Sequence, residues 1–166
     1  KYREAKEKLF VALGTRKKHI NICDRVGQFE EAVKKSSIVN IDDEAATFFL
    51  RYPAERKIGF GLKNKDGGIN ELIKPQNYSF SEQGISFELE GLKFTSLLRG
   101  EFNLLNILAA IAAGRALEIP LSVMREAVAE FDGLPGRLEE IKCGQEFKVF
   151  VDYAHTPDSL IAVYET

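Results

Sequence analysis

Val149-Phe150-Val151-Asp152, followed by Tyr153-Ala154-His155-Thr156-Pro157, restricts the fold more than any other stretch of this chain. Apolar residues running into an acid, then a turn, then a proline heading an amphipathic segment predict a buried strand, a carboxylate at its carboxyl end, and a helix starting at Pro157. Open α/β sheets bind small molecules in the crevice outside the carboxyl ends of their strands. Asp152 therefore reads as an acceptor for a pair of sugar hydroxyls, with Tyr153, His155 and Thr156 on the same rim. The plainer reading, Asp152 as a strand terminator and Thr156 as a helix cap, fits the same residues.

The rest of the chain alternates in the same way. Residues 1–12 carry Tyr2, Ala5, Leu9 and Phe10 at helical spacing with a charged opposite face. Residues 14–37 begin with the basic run Arg16, Lys17, Lys18, a solvated loop face, and turn helical over 28–35. A short buried strand is predicted at 37–41, with Asp42 and Asp43 capping a helix over 44–51. From 57 to 98 the period drops to two, with strands at 57–61, 77–80, 85–89 and 92–97 between Gly-rich turns such as Asp66-Gly67-Gly68 and Glu90-Gly91. The fold class is thus α/β: a parallel sheet with helices plus a small antiparallel sheet. Leu104, Ile107, Leu108 and Ile111 then mark one helix, and Leu121, Met124, Val128 and Phe131 a second after Pro120, both packed on the core. The breaker-rich run Asp132-Gly133-Leu134-Pro135-Gly136 precedes strands at 137–141 and 147–152, and a domain boundary is predicted at about residue 139, dividing 1–139 from 140–166.

A formal charge of −2 gives no electrostatic reason to expect a nucleic acid or a membrane as partner. Cys23 and Cys143 lie far apart without metal-ligand spacing, which suits a reducing, cytoplasmic compartment. No apolar run approaches the roughly 20 residues that cross a bilayer. The chain opens on Lys1 inside a helical pattern and closes at Thr166 inside another, so it is expected to be a piece of a longer protein. A monomer is the expected state.

Three groups of residues could carry chemistry. Asn103 and Asn106, three apart at the head of a helix, are expected to project from one side of it, away from the leucine and isoleucine stripe. A carboxamide both donates and accepts, as an adenine edge requires; a helix cap and a chance polar residue explain the pair equally well. Arg137, just after Gly136, could reach a phosphate bidentately or be an ordinary surface arginine. Lys6 is by itself a solvated helix lysine, whose chemistry would need a special environment or a modification.

Together these segments resemble the Mur ligases of peptidoglycan synthesis: Tyr-x-x-Ala-Lys-x-x-Leu-Phe at Tyr2–Phe10, Val-Asn-x-Asp-Asp at Val39–Asp43, Gly-x-Phe-Asn-x-x-Asn from Gly100, Gly-Arg-x-Glu from Gly136, and Val-Asp-Tyr-Ala-His-Thr-Pro-Asp-Ser-Leu from Val151. The resemblance implies the later part of an ATP-binding central domain followed by the start of a Rossmann-like C-terminal domain. It also implies a role for each matching residue. Lys6 would be carbamylated and help hold Mg²⁺, Asn103 and Asn106 would contact adenine, and Asn40 would lie in the neighbouring central-domain motif. Arg137 would sit near the phosphates, and Asp152 on the ribose with Tyr153 and His155 beside it. The implied reaction is ATP-dependent addition of a third amino acid, meso-diaminopimelate or L-lysine, to UDP-MurNAc-L-Ala-D-Glu through an acyl phosphate. Folylpolyglutamate and cyanophycin synthetases share part of the pattern, and a non-catalytic nucleotide-binding module is a further alternative. The family's P-loop is not among these residues, so the piece alone is expected to be inactive, and residues 15–36 read as an insertion.

Overall fold

The computed structural model describes residues 2–15, 34–63 and 68–166; most of the helix expected at 28–35, most of the expected insertion and part of the Asp66-Gly67-Gly68 turn lie outside them. The chain forms two compact units, Lys1–Lys74 with Leu108–Pro120, and Pro75–Ile107 with Leu121–Thr166. The helix α3, Glu101–Ala116, contributes to both.

In the first unit α1 (Tyr2–Thr15) precedes a three-stranded parallel sheet of β1 (Ser36–Asn40), β2 (Arg56–Phe60) and β3 (Glu71–Ile73), in that order. A parallel pair cannot be joined by a tight turn, and residues 41–55, which contain α2 (Ala46–Leu50), make the crossover from β1 to β2. The segment 57–61 therefore belongs to the parallel sheet, not to the antiparallel set its period-two pattern suggested. Periodicity reports which faces are covered; the direction of the neighbouring strand is decided by the connection. Val39, Ile41, Leu50, Ile58 and Ile73 are buried here, as are Leu108, Ile111 and Ala112 of α3.

The helix expected at 44–51 is shorter, because the side chains before it are used in turns. Asn40 Oδ1 accepts the Asp42 N–H at 2.9 Å and Asp43 Oδ1 accepts the Ala45 N–H at 2.7 Å. These Asx turns delay helix entry, and the N-cap position falls to Ala45, which offers no side-chain acceptor. Asp42 reaches across instead, accepting the Leu62 N–H at 2.7 Å and the Lys63 N–H at 3.1 Å.

The apolar residues of α1 do not form a packed face. Tyr2 is 77% and Leu9 66% exposed, and only Phe10 docks, stacked on Phe49 with centroids 4.7 Å apart. Nearby, Arg3 and Arg51 both lie over the Phe48 ring, at 4.6 and 3.9 Å.

The second unit is built on an antiparallel sheet of β4 (Tyr78–Ser81), β5 (Gly84–Leu89) and β6 (Leu92–Ser96). Phe87 and Phe94 are directly opposite on β5 and β6, fully buried and stacked at 4.8 Å. Such a pair contributes about 0.5–1.5 kcal/mol beyond its burial. Gly84 has φ +122° and its missing Cβ would collide with the Ser96 carbonyl, so a side chain is excluded there. The helix α4 (Leu121–Glu130) packs on β6 through Met124; Phe131 lies past its end and is 42% exposed, so the expected four-residue stripe is cut short.

The last elements are β7 (Glu139–Ile141) and β8 (Val149–Val151), paired antiparallel in a two-stranded ribbon, and α5 (Pro157–Tyr164). The strand expected to be buried is exposed: all three β8 residues are between 37% and 45% accessible. Its apolar run signals a need for cover, and a two-stranded ribbon supplies none on its faces.

Candidate nucleotide site

Asp152 sits one residue beyond β8. Its Oδ2 accepts the Leu138 N–H at 2.7 Å and its Oδ1 the Ala154 N–H at 2.7 Å. Each oxygen keeps a further lone pair, so the carboxylate can hold the chain and still accept a hydroxyl. The loop it holds is tightly bent. The Arg137 N–H bonds the Leu134 carbonyl at 3.1 Å with Pro135 and Gly136 between and Gly136 at φ +69°, the pattern of a type II turn. Leu138 follows at φ +49°, a left-handed conformation that costs a leucine energy and that the bond to Asp152 helps to retain. The Tyr153 N–H returns to the Gly136 carbonyl at 2.8 Å, closing the loop on the strand end.

Around this loop three predicted residues stand free of the core. Arg137 is exposed, and its guanidinium bonds no other described residue. Tyr153 is 69% exposed and its ring meets His155 edge-on, centroids 5.0 Å apart at 67°. His155 Nδ1 lies 2.8 Å from the Tyr153 carbonyl and donates a proton to it, which fixes the ring's orientation. Thr156 caps α5 with a capping box shared with Ser159, and Pro157 takes the first turn.

The two asparagines are not equivalent, contrary to the expected pair of outward amides. Asn103 is 5% exposed, donates from Nδ2 to the Arg99 carbonyl at 2.8 Å, and accepts at Oδ1 from Asn106 Nδ2 at 3.2 Å. Asn106 is exposed, with its Oδ1 and second N–H pointing at no described partner. One donor and one acceptor on a single amide is what a purine edge needs, and Asn103 fixes its orientation. Asn103, Asn106, Arg137, Asp152, Tyr153 and His155 all belong to the second unit.

Two residues that sequence reasoning passed over join these parts. Arg99 Nη2 lies 3.2 Å from Glu140 Oε2, and its guanidinium covers the Phe150 ring at 5.4 Å. Nothing in the spacing of Arg99 and Glu140, forty-one apart, signals the pairing.

Lys6 and Asn40 belong to the first unit. Lys6 is exposed on α1 with its amine 5.4 Å from the Tyr2 ring centre. Among the described residues no group of three or more His, Cys, Asp or Glu side chains is arranged to hold a metal. Lys6 could offer at most one ligand after modification, so these residues do not by themselves fit a metal centre. Among the described residues, no helix is long and apolar enough to cross a membrane.

By architecture the chain is a mixed α/β protein, a parallel sheet with crossover helix joined to antiparallel strands. It belongs to the Mur ligase family, whose middle-domain model matches residues 1–114. It is 37% identical to UDP-N-acetylmuramoyl-L-alanyl-D-glutamate--2,6-diaminopimelate ligase of Bacillus velezensis and 34% identical to the enzyme of the same name from Listeria monocytogenes, in both cases over 99% of this chain and 31% of the relative. A solved structure of a ligase with that name superposes with a TM-score of 0.68 at 27% identity, covering 99% of this chain and 31% of the other. The chain thus spans about a third of the length of the curated relatives it matches.

Proposed function

We propose that this chain is the adenosine-gripping part of an ATP-dependent ligase that adds 2,6-diaminopimelate to UDP-N-acetylmuramoyl-L-alanyl-D-glutamate. The substrate assignment rests on the names of relatives 34–37% identical along the chain. The observation that carries the site is the oriented amide of Asn106, held by buried Asn103, in the same compact unit as the half-satisfied carboxylate of Asp152. Asn106 reads the base and Asp152 accepts the ribose hydroxyls. Arg137 reaches a phosphate, while Tyr153 and His155 close the rim.

The acceptor's carboxylate would take the γ-phosphoryl group of ATP, giving an acyl phosphate and releasing ADP; the amine of the diamino acid would then attack the acyl carbon, forming the amide as phosphate leaves. The residues here orient the nucleotide for that transfer, the contribution that dominates phosphoryl-transfer catalysis. A carbamylated Lys6 would add one oxygen donor toward Mg²⁺, and Asn40 lies in the neighbouring motif. In the longer protein the boundary between central and C-terminal domains falls at about residue 139.

The test is phosphate release by the full-length protein. UDP-MurNAc-L-Ala-D-Glu, ATP, Mg²⁺ and meso-diaminopimelate together should support turnover, with no release when any one is omitted. Preference for L-lysine would correct the amino acid; release only with a folate and glutamate would overturn the assignment.

A further inference from the structure

We propose that Arg99 is a positioning residue that braces the base-reading amides against the sugar-binding carboxylate, so that the two halves of the nucleotide site are set at a fixed separation. The inference rests on the nucleotide reading of Asn106 and Asp152. Arg99 is engaged at both of its ends. Its carbonyl accepts the Asn103 amide at 2.8 Å, and Asn103 in turn orients Asn106. Its guanidinium pairs with Glu140 at 3.2 Å and lies over Phe150 at 5.4 Å.

Glu140 and Phe150 are directly opposite on β7 and β8, so their side chains share one face of the ribbon and a single planar cation can touch both. Asp152 lies two residues past Phe150, just beyond the end of β8, and its Oδ2 holds Leu138 just ahead of β7. A continuous path thus runs from Asn106 through Asn103, Arg99 and the ribbon to Asp152. Between the head of α3 and the ribbon, this path passes through the Arg99 side chain. Arginine suits this place because its flat fork can pair and stack at once, which lysine cannot.

The ion pair is partly screened, with both side chains about a quarter exposed, so it contributes little to folding. Glu140 also has Lys142 Nζ 3.6 Å away, so removing Arg99 does not strand its carboxylate. Loss of Arg99 should therefore loosen the site more than it loosens the fold.

The experiment is calorimetric titration of the full-length protein with the non-hydrolysable analogue AMPPCP, alongside ATP kinetics and melting curves. R99A should weaken analogue binding about fivefold, the size of an ordinary coupling between neighbouring groups, with kcat at saturating ATP within about twofold and little change in Tm. R99K should recover part of the affinity, and the exchange R99E with E140R should bind more tightly than R99E alone. Unchanged affinity in R99A, or a loss that tracks Tm and is not relieved by the exchange, overturns the brace. D152A and N106A are measured in parallel. If they weaken binding while R99A does not, the brace fails and the nucleotide site stands; if neither weakens it, the nucleotide reading falls and the brace with it.

Discussion

Asp152 and Leu138 are fourteen residues apart in sequence, yet the carboxylate of the first holds the backbone N–H of the second at 2.7 Å, with Leu138 in a left-handed conformation. The contact makes one residue serve two purposes: it shapes the 134–138 loop that presents Arg137, and it keeps an acceptor oriented at the strand end.

Replacement of Asp152 by Ala should raise the Michaelis constant for ATP in the full-length protein and also unlatch the loop. Leaving the Leu138 and Ala154 N–H groups without their acceptor should cost about 1–3 kcal/mol of local stability. Hydrogen exchange at the Leu138 amide reports the second effect and steady-state kinetics the first. An unchanged Michaelis constant would remove Asp152 from the ribose.

The asparagines should separate cleanly. Asn103→Ala removes a buried amide bonded on both sides and should lower stability by about 1–3 kcal/mol in a denaturant titration. Asn106→Ala alters an exposed group and strands only the Asn103 Oδ1, so it should lower stability by less than Asn103→Ala, about 1 kcal/mol, while weakening ATP binding. Equal effects of the two on melting would contradict the division of labour.

Much of this was legible beforehand because it is local. The leucine and isoleucine stripe of α3, the Thr156-Pro157 start of α5 and the Gly-bounded strands β5 and β6 follow from chemistry within a few residues. What misled was whatever depends on distant partners. The period-two pattern of β2 could not reveal a parallel neighbour, and the apolar run of β8 could not reveal that, among the described residues, it pairs with β7 alone. Three-residue β3, with Leu72 exposed at its centre, is too short to show a pattern at all. In the site, spacing placed Asn103 and Asn106 on one side of α3 but did not show that one would be consumed in orienting the other. Arg99 and Glu140 were invisible for the same reason: their meeting is set by how β7 packs, not by any motif.

Lys6→Ala should leave the melting temperature nearly unchanged, since the side chain is exposed and touches only the Tyr2 ring among the described residues. Turnover by the full-length protein should nevertheless be lost, and bicarbonate should not restore it. Undiminished turnover would take Lys6 out of the metal site.

A pH effect is expected in the first unit. The Tyr52 hydroxyl donates to Glu7, and Arg51 adds a bond at 3.0 Å; together they hold the Glu7 carboxyl below its ordinary value of 4.5. A carboxyl with a depressed folded pKa stabilises the protein above its unfolded value, and that stabilisation is lost as pH falls below about 4.5. Glu7 is solvent-exposed enough for the effect to be small. Glu7→Gln should therefore narrow the Tm difference between pH 7 and pH 3 slightly, and a mutant with the full difference would exclude the contact.

The most direct measurement is a crystal structure of the full-length protein with AMPPCP bound. The account predicts the adenine edge within hydrogen-bond distance of the Asn106 amide and a ribose hydroxyl within the same distance of an Asp152 oxygen. A nucleotide bound with its adenosine away from both side chains would contradict it.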